Sequence, residues 1–370
     1  MRRMALALFS GLFLSLVLAC TSSAQVDHWG LGTATPTPVE NVNNPILVDA
    51  GNADGFAIEA NGTVKAWGPN RYGDLGDGSM KNPPGNGAVT VDLPEGVKAV
   101  SLGESERSGY AVTSTGEVYD WGDNQNGDLC QGEQEANLAT PEKIAGLTEV
   151  VAAQGAEHHV LFLLADGQVK VCGWNNEGQD GLGPAVSEAR TPMLLTGVSH
   201  IVEMSASPKG STLLNASGEV FVFGSNRGGQ DGLGKTVKQA TEPTHLQLPG
   251  RASEVSNGGG TPESHTLVLV EGVPYGWGLD ELGQIGDDST TNKFTPVVAS
   301  ELVSYGFTTL KAASRSSCGI TAGTAVYCWG ENGTGELGTP QAGDESLTPQ
   351  LADTAALELS ATAQNVVDRH

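Results

Sequence analysis

AWGPNRYGDLG, residues 66–76, decides the fold because the chain repeats it. DWGDNQNGDLC begins at Asp120, VCGWNNEGQDG at Val171 and VFGSNRGGQDG at Val222. GWGLDELGQIG follows at Gly276 and CWGENGTGELG at Cys328. In each copy an aromatic residue or a cysteine precedes a glycine, and a second glycine stands five residues later. The first glycines are Gly68, Gly122, Gly173, Gly224, Gly278 and Gly330, spaced by 54, 51, 51, 54 and 52 residues. A recurring period of this length is the mark of stacked structural units.

Working outward, each unit has one grammar. A run rich in Val and Ala comes first, as at 149–153, and a second apolar run follows at 160–164. A glycine turn, Ala165-Asp166-Gly167, leads into a third run that ends on the glycine motif. Thr-Pro pairs at 140, 191, 295 and 348 open a fourth short run. Four short strands per unit with turn residues between them predict an all-β fold. Glycine makes up 51 of 370 residues, and 38% of residues are hydrophobic. That combination fits many tight turns between packed strands and does not fit disorder. Four-stranded units repeated radially make a propeller.

The string W-G-x-N-x-x-G-Q-L-G and its period resemble the regulator of chromosome condensation repeat family, over nearly all of residues 26–370. The resemblance implies a β-propeller that binds other proteins. Departures from the pattern are Cys172 and Phe223 at the tryptophan place and Cys130 at a glycine place. Leu182 and Leu233 sit late, behind Asp180 and Asp231. After the sixth copy come Thr348-Pro349 and then apolar runs at 357–361 and 365–367. Val26-Asp27-His28-Trp29-Gly30 reads as a third strand without its first two. Together these ends predict a seven-bladed propeller: six complete repeats plus one composite blade closed by N- and C-terminal strands.

Residues 1–24, MRRMALALFSGLFLSLVLACTSSA, read as an export signal. Arg2 and Arg3 precede an apolar run of about 15 residues, shorter than the ~20 a spanning helix needs. Two cleavage sites compete. Cleavage before Cys20 would make a lipoprotein with Cys20 acylated; cleavage after Ala24 would release a secreted chain. Residues 25–370 form the propeller domain under either choice.

The formal net charge is −24, and loss of Arg2 and Arg3 with the signal leaves −26. A polyanion of this kind has no means of neutralising phosphates, which excludes nucleic acid as a partner. Among the remaining cysteines, a hairpin centred on Gly323 sets Cys318 opposite Cys328 and predicts a disulfide. Pairing of Cys130 with Cys172 stays open.

No nucleophile elbow, phosphate loop, dinucleotide fingerprint or zinc-type cysteine spacing occurs, and neither a cofactor nor a metal is expected. Asp287-Asp288 and the acids of 123–128 do not have the spacing of a calcium loop. The resemblance implies that the pair His158-His159, and His265 at nearly the same place in the fifth repeat, are structural histidines bonded to backbone, and that the tryptophans at 67, 121, 277 and 329 pack between blades. The Gly-Trp-Arg-His-Thr motif of the family's plant ultraviolet-B photoreceptor is absent. Architecture and export are also similar to a secreted bacterial β-lactamase inhibitor of this repeat type, which clamps its target with loops on one propeller face. The expectation is an exported, monomeric protein-binding scaffold, an inhibitor or adaptor and not an enzyme. Tyr72, Trp174 and Arg227 are its candidate contact residues, because interfaces are anchored by aromatic and arginine side chains. Its partner would lie in the cell envelope or outside the cell, with membrane contact only through a lipid anchor. The alternative is an extracellular enzyme or carbohydrate binder acting on a polymer at the propeller channel.

Overall fold

The computed structural model of the chain describes residues 4–10, 13–19, 25–30, 33–50, 54–83, 87–124, 127–133, 136–259, 264–323, 325–339 and 343–352. The six repeats fold into six antiparallel four-stranded sheets, each in sequential strand order. They occupy residues 45–90, 99–143, 150–194, 201–246, 252–298 and 307–351. The third blade is typical: Val150–Gly155, His159–Leu164, Val169–Trp174 and Glu188–Leu194. First strands of neighbouring blades touch one another around a central axis.

The core lies between blades. One apolar cluster joins Phe56, Ile58 and Leu75 of the first blade to Leu102 and Trp121 of the second. Another joins Tyr110 and Ile144 of the second to Phe162 and Cys172 of the third. A second strand therefore has apolar neighbours on both faces, and Ser264–Val270 is buried at every residue. Such strands read as continuous apolar runs without alternation.

The propeller has six blades, not the seven expected from the sequence. Gln25–Gly30 is indeed a strand, but the composite blade is not formed. Its hydrogen-bonded neighbours are Phe13–Ala19 and Thr33–Pro38, and Met4–Ser10 completes a sheet that is N-terminal throughout. Among the described residues no C-terminal strand joins it, and residues 353–370 lie outside them. Locality favours this arrangement: Ser10 pairs with Phe13 across a two-residue connection, and short loops close at less entropic cost than distant ends. Cys20 also lies outside the described residues.

Cys318 pairs directly with Cys328 across the sixth blade's hairpin, and the two are bridged. Cys130 and Cys172 form a second disulfide, which ties the second blade to the third. No helix among the described residues is long and apolar enough to cross a membrane.

Candidate binding face

The repeat motif builds the loop that follows each third strand. Its Asn side-chain oxygen accepts the backbone N–H five residues on: Asn70 from Leu75, Asn124 from Leu129, Asn175 from Asp180, Asn226 from Asp231 and Asn332 from Leu337. Asp280 does the same for Ile285. The Asp, Gln or Glu before that apolar place accepts the N–H two residues back, as Asp74 does from Tyr72 and Gln179 from Glu177. Short polar side chains hold a loop this way because they mimic backbone turns. Gly122 carries φ 109, and an added Cβ would strike the Arg107 carbonyl, so the motif admits no side chain there.

These loops share one end of the ring with the turns between first and second strands. The three candidate contact residues all stand on this face, at successive joints, and do not touch one another. Tyr72 is half-buried, with the Arg71 and Arg107 guanidinium carbons 5.7 and 5.0 Å from its ring centre. Arg107 comes from the second blade and also pairs with Asp123 at 3.6 Å. Trp174 lies against His158, ring centres 4.6 Å apart. His158 Nδ1 meets Asp128 of the second blade at 3.3 Å. Burial works against protonating His158, but the hydrogen bond and charge of Asp128, with Glu157 and Glu106, outweigh it and raise its pKa. Arg227 is exposed and stands 3.7 Å from Glu177 of the preceding blade.

His159 and His265 are buried structural residues, as the sequence suggests, but their partners are hydroxyls and not backbone. His159 Nε2 meets Ser211 Oγ at 2.9 Å, and that hydroxyl donates to the Gln179 carbonyl. His265 repeats the relay through Ser317 to Gln284. Because each serine donates onward, each histidine must supply Nε2–H. Burial lowers both pKa values to about 3, so both rings are neutral. The tryptophans act across joints too: Trp121 donates to the Asp74 carbonyl, Trp277 to Gln230 and Trp329 to Gln284.

Acids that suggested calcium are engaged otherwise: Asp287 pairs with Lys293 at 2.7 Å, Asp123 with Arg107 and Asp128 with His158. No three His, Cys, Asp or Glu among the described residues are placed to hold a metal.

The structure adds a group that the sequence reading missed. Glu203, Glu254 and Lys311 converge on the axis from three first strands, where other blades carry Ala152 or Gln154. Glu254 bonds Lys311 at 3.4 Å and accepts the Leu310 N–H at 2.8 Å. Glu203 accepts the Val255 N–H at 3.3 Å. Glu at one register on two successive first strands was the available signal.

The family model described as the Regulator of chromosome condensation (RCC1) repeat matches residues 115–163, and a second model of that description matches 151–179. The chain therefore carries repeats of that family over residues 115–179. Over 314 residues it is 26% identical to the ultraviolet-B receptor UVR8 of Arabidopsis thaliana, covering 82% of this chain and 68% of the receptor. The E3 ubiquitin-protein ligase HERC2 of Homo sapiens is 26% identical over 75% of this chain, which spans only 6% of that ligase. The crystal structure of Prp20p from Saccharomyces cerevisiae, described with its binding to Gsp1p and histones, superposes with a TM-score of 0.78 at 20% identity. That match covers 91% of this chain and 87% of Prp20p. Human WBSCR16 gives 0.74 at 20% identity, covering 86% and 84%. These two structures establish the shared fold. Fold alone does not give function, and the site must be argued from the residues of this chain.

Proposed function

We propose that this chain is an exported protein-binding scaffold that holds a partner protein with the face bearing Tyr72, Trp174 and Arg227. The observation that carries the reading is the arc those residues make over four consecutive blades. Each is an aromatic or arginine side chain, each is at least partly open to solvent, and each is held by neighbours. Preordered anchors of this kind lose little side-chain entropy on binding. The solved relative Prp20p binds Gsp1p and histones, which supports a protein as the ligand class. No observation favours catalysis: the axial carboxylates Glu203 and Glu254 are engaged with backbone N–H groups of the next blade.

Export rests on residues 1–24, and the two disulfides support an oxidising compartment. Anchoring through Cys20 and release after Ala24 are separated by the mass of the mature N-terminus. An acylated Cys20 gives a lipid-modified terminal peptide, and release gives an unmodified one at Gln25.

Residues 25–370, used as bait against proteins exported by the source organism, should capture one partner that saturates. Trp174→Ala with Arg227→Glu should weaken it by at least about tenfold, the ordinary effect of losing an anchor. Failure to capture any saturable protein at micromolar bait would overturn the scaffold reading.

A further inference from the structure

We propose that the joint between the first and second blades, where Arg71 and Arg107 meet at Tyr72, takes a carboxylate side chain of the bound partner, an aspartate or a glutamate. This rests on the scaffold reading and names what the partner must present to the face. Of the six arginines among the described residues, four stand on that face. Arg71 and Arg227 lie in motif loops; Arg107 and Arg315 lie in turns between first and second strands. The planar guanidinium is the side chain best matched to a carboxylate.

The joint between the fifth and sixth blades is built the same way with one charge exchanged. Arg315 is the counterpart of Arg107: its carbonyl accepts the Glu331 N–H as the Arg107 carbonyl accepts that of Asp123. Glu281 is the counterpart of Arg71: it follows Asp280 as Arg71 follows Asn70, the two residues whose side-chain oxygens close their loops. Arg315 therefore stands between two carboxylates, Glu281 of the fifth blade at 3.8 Å and Glu331 of its own at 3.6 Å. Arg107 keeps the second of these, Asp123 at 3.6 Å. At the place of the first the chain carries Arg71, and both guanidiniums lie against the Tyr72 ring.

One joint thus satisfies its arginine internally, and the other puts a second cation where the acid belongs. Both Arg71 and Arg107 are exposed. Among the described residues Arg71 makes no ion pair, and neither guanidinium donates a hydrogen bond. Each keeps its fork of five N–H donors for a ligand. The other acids nearby are committed: the buried Asp74 accepts the Tyr72 N–H, and burial raises its pKa, while Glu106 lines the axial cavity. Contact with the aromatic ring limits the freedom that the arginines lose on binding. The chain's formal net charge is −24. A nucleic acid or an anionic membrane would have to spread over that acidic surface, whereas a single side chain fits the one cationic joint.

The test titrates N-acetyl-glutamate N-methylamide into residues 25–370 and follows the arginine Nε–H resonances by NMR, with N-acetyl-glutamine N-methylamide as the neutral control. Millimolar binding of the glutamate probe at Arg71 and Arg107, and none of the glutamine probe, is expected. Arg71→Glu copies the charge pattern of the fifth and sixth blades, so it should weaken the probe by about tenfold or more without lowering the melting temperature. Glu281→Arg with Leu282→Tyr makes the reverse exchange and should raise the stoichiometry from one probe to two. Absence of binding at tens of millimolar, equal binding by Arg71→Glu, or no second probe in the reverse variant overturns the proposal. The O-phosphoserine analogue of the probe tests the other anion, and a preference for it beyond about a hundredfold overturns the carboxylate in favour of a phosphorylated ligand. A captured partner should lose about tenfold or more with Arg71→Glu, and unchanged affinity overturns the assignment. Probe binding is measured on the chain alone and partner capture does not need the probe, so this proposal and the scaffold reading fail separately.

Discussion

The joint between the first and second blades and the joint between the second and third solve one problem in two ways. At the first, Trp121 is fully buried, donates to the Asp74 carbonyl and lies on Gly76, whose added Cβ would stand 2.9 Å from the indole. The fourth and fifth blades repeat this with Trp277 over Gly232. At the second joint the tryptophan place holds Cys172 and the glycine place holds Cys130, with φ 57. The small cysteine leaves the space that the indole would fill, a side chain becomes tolerable opposite it, and the two sulfurs bond. Two departures from the repeat that look independent in sequence are one exchange in space: aromatic packing for a covalent bond.

The comparison can be broken first at the aromatic joint. Trp121→Ala should cost about 3–5 kcal/mol, the usual range for a buried tryptophan, read from denaturant unfolding. At the covalent joint, Cys130→Ser with Cys172→Ser opens a 42-residue loop and should cost up to about 4 kcal/mol. Cys172→Trp alone should be worse than Cys130→Gly with Cys172→Trp, because only the double change clears room for the ring. If the double variant recovers no stability over that single one, the exchange is not the reason for the pairing. The Cys318–Cys328 bridge closes only 10 residues, and its removal should cost about 2–3 kcal/mol with no effect between blades.

A smaller test uses the same loops. Leu75, Leu129, Ile285 and Leu337 are fully buried at the place where the third and fourth blades carry Asp180 and Asp231. Neither oxygen of Asp180 has a hydrogen-bond partner. Burial raises both carboxyls well above their ordinary range, with Asp128 adding to the effect at Asp180. The folded state then holds protons that the unfolded chain releases, so stability is full below about pH 4 and falls as pH rises through the folded values. Asp180→Asn should raise the melting temperature at neutral pH and leave it unchanged near pH 4. An equal shift at both pH values would mean that charge is not the cause.

Much of the site was legible because the repeat motif is local. Asn70 reaches Leu75 and Asp74 reaches Tyr72 within one loop, so the loop's shape follows from residues beside one another. The same locality put Tyr72, Trp174 and Arg227 on one face. The His159–Ser211 relay was only half legible. A histidine at that place was visible, but its hydroxyl partner lies 52 residues away in the next blade. Glu203 and Lys311 were not legible as a pair, since nothing in either strand indicates that the ring brings them to one cavity.

By itself, the sequence determined the four-stranded unit, its loop and the Cys318–Cys328 bridge, because each depends on hydrogen bonds or registers inside one repeat. Only the tertiary structure decided the count of six blades, the Cys130–Cys172 bond and the axial cluster. Those depend on how neighbouring sheets twist against each other and where chain ends find edges to pair, which are properties of the closed ring and not of any one repeat.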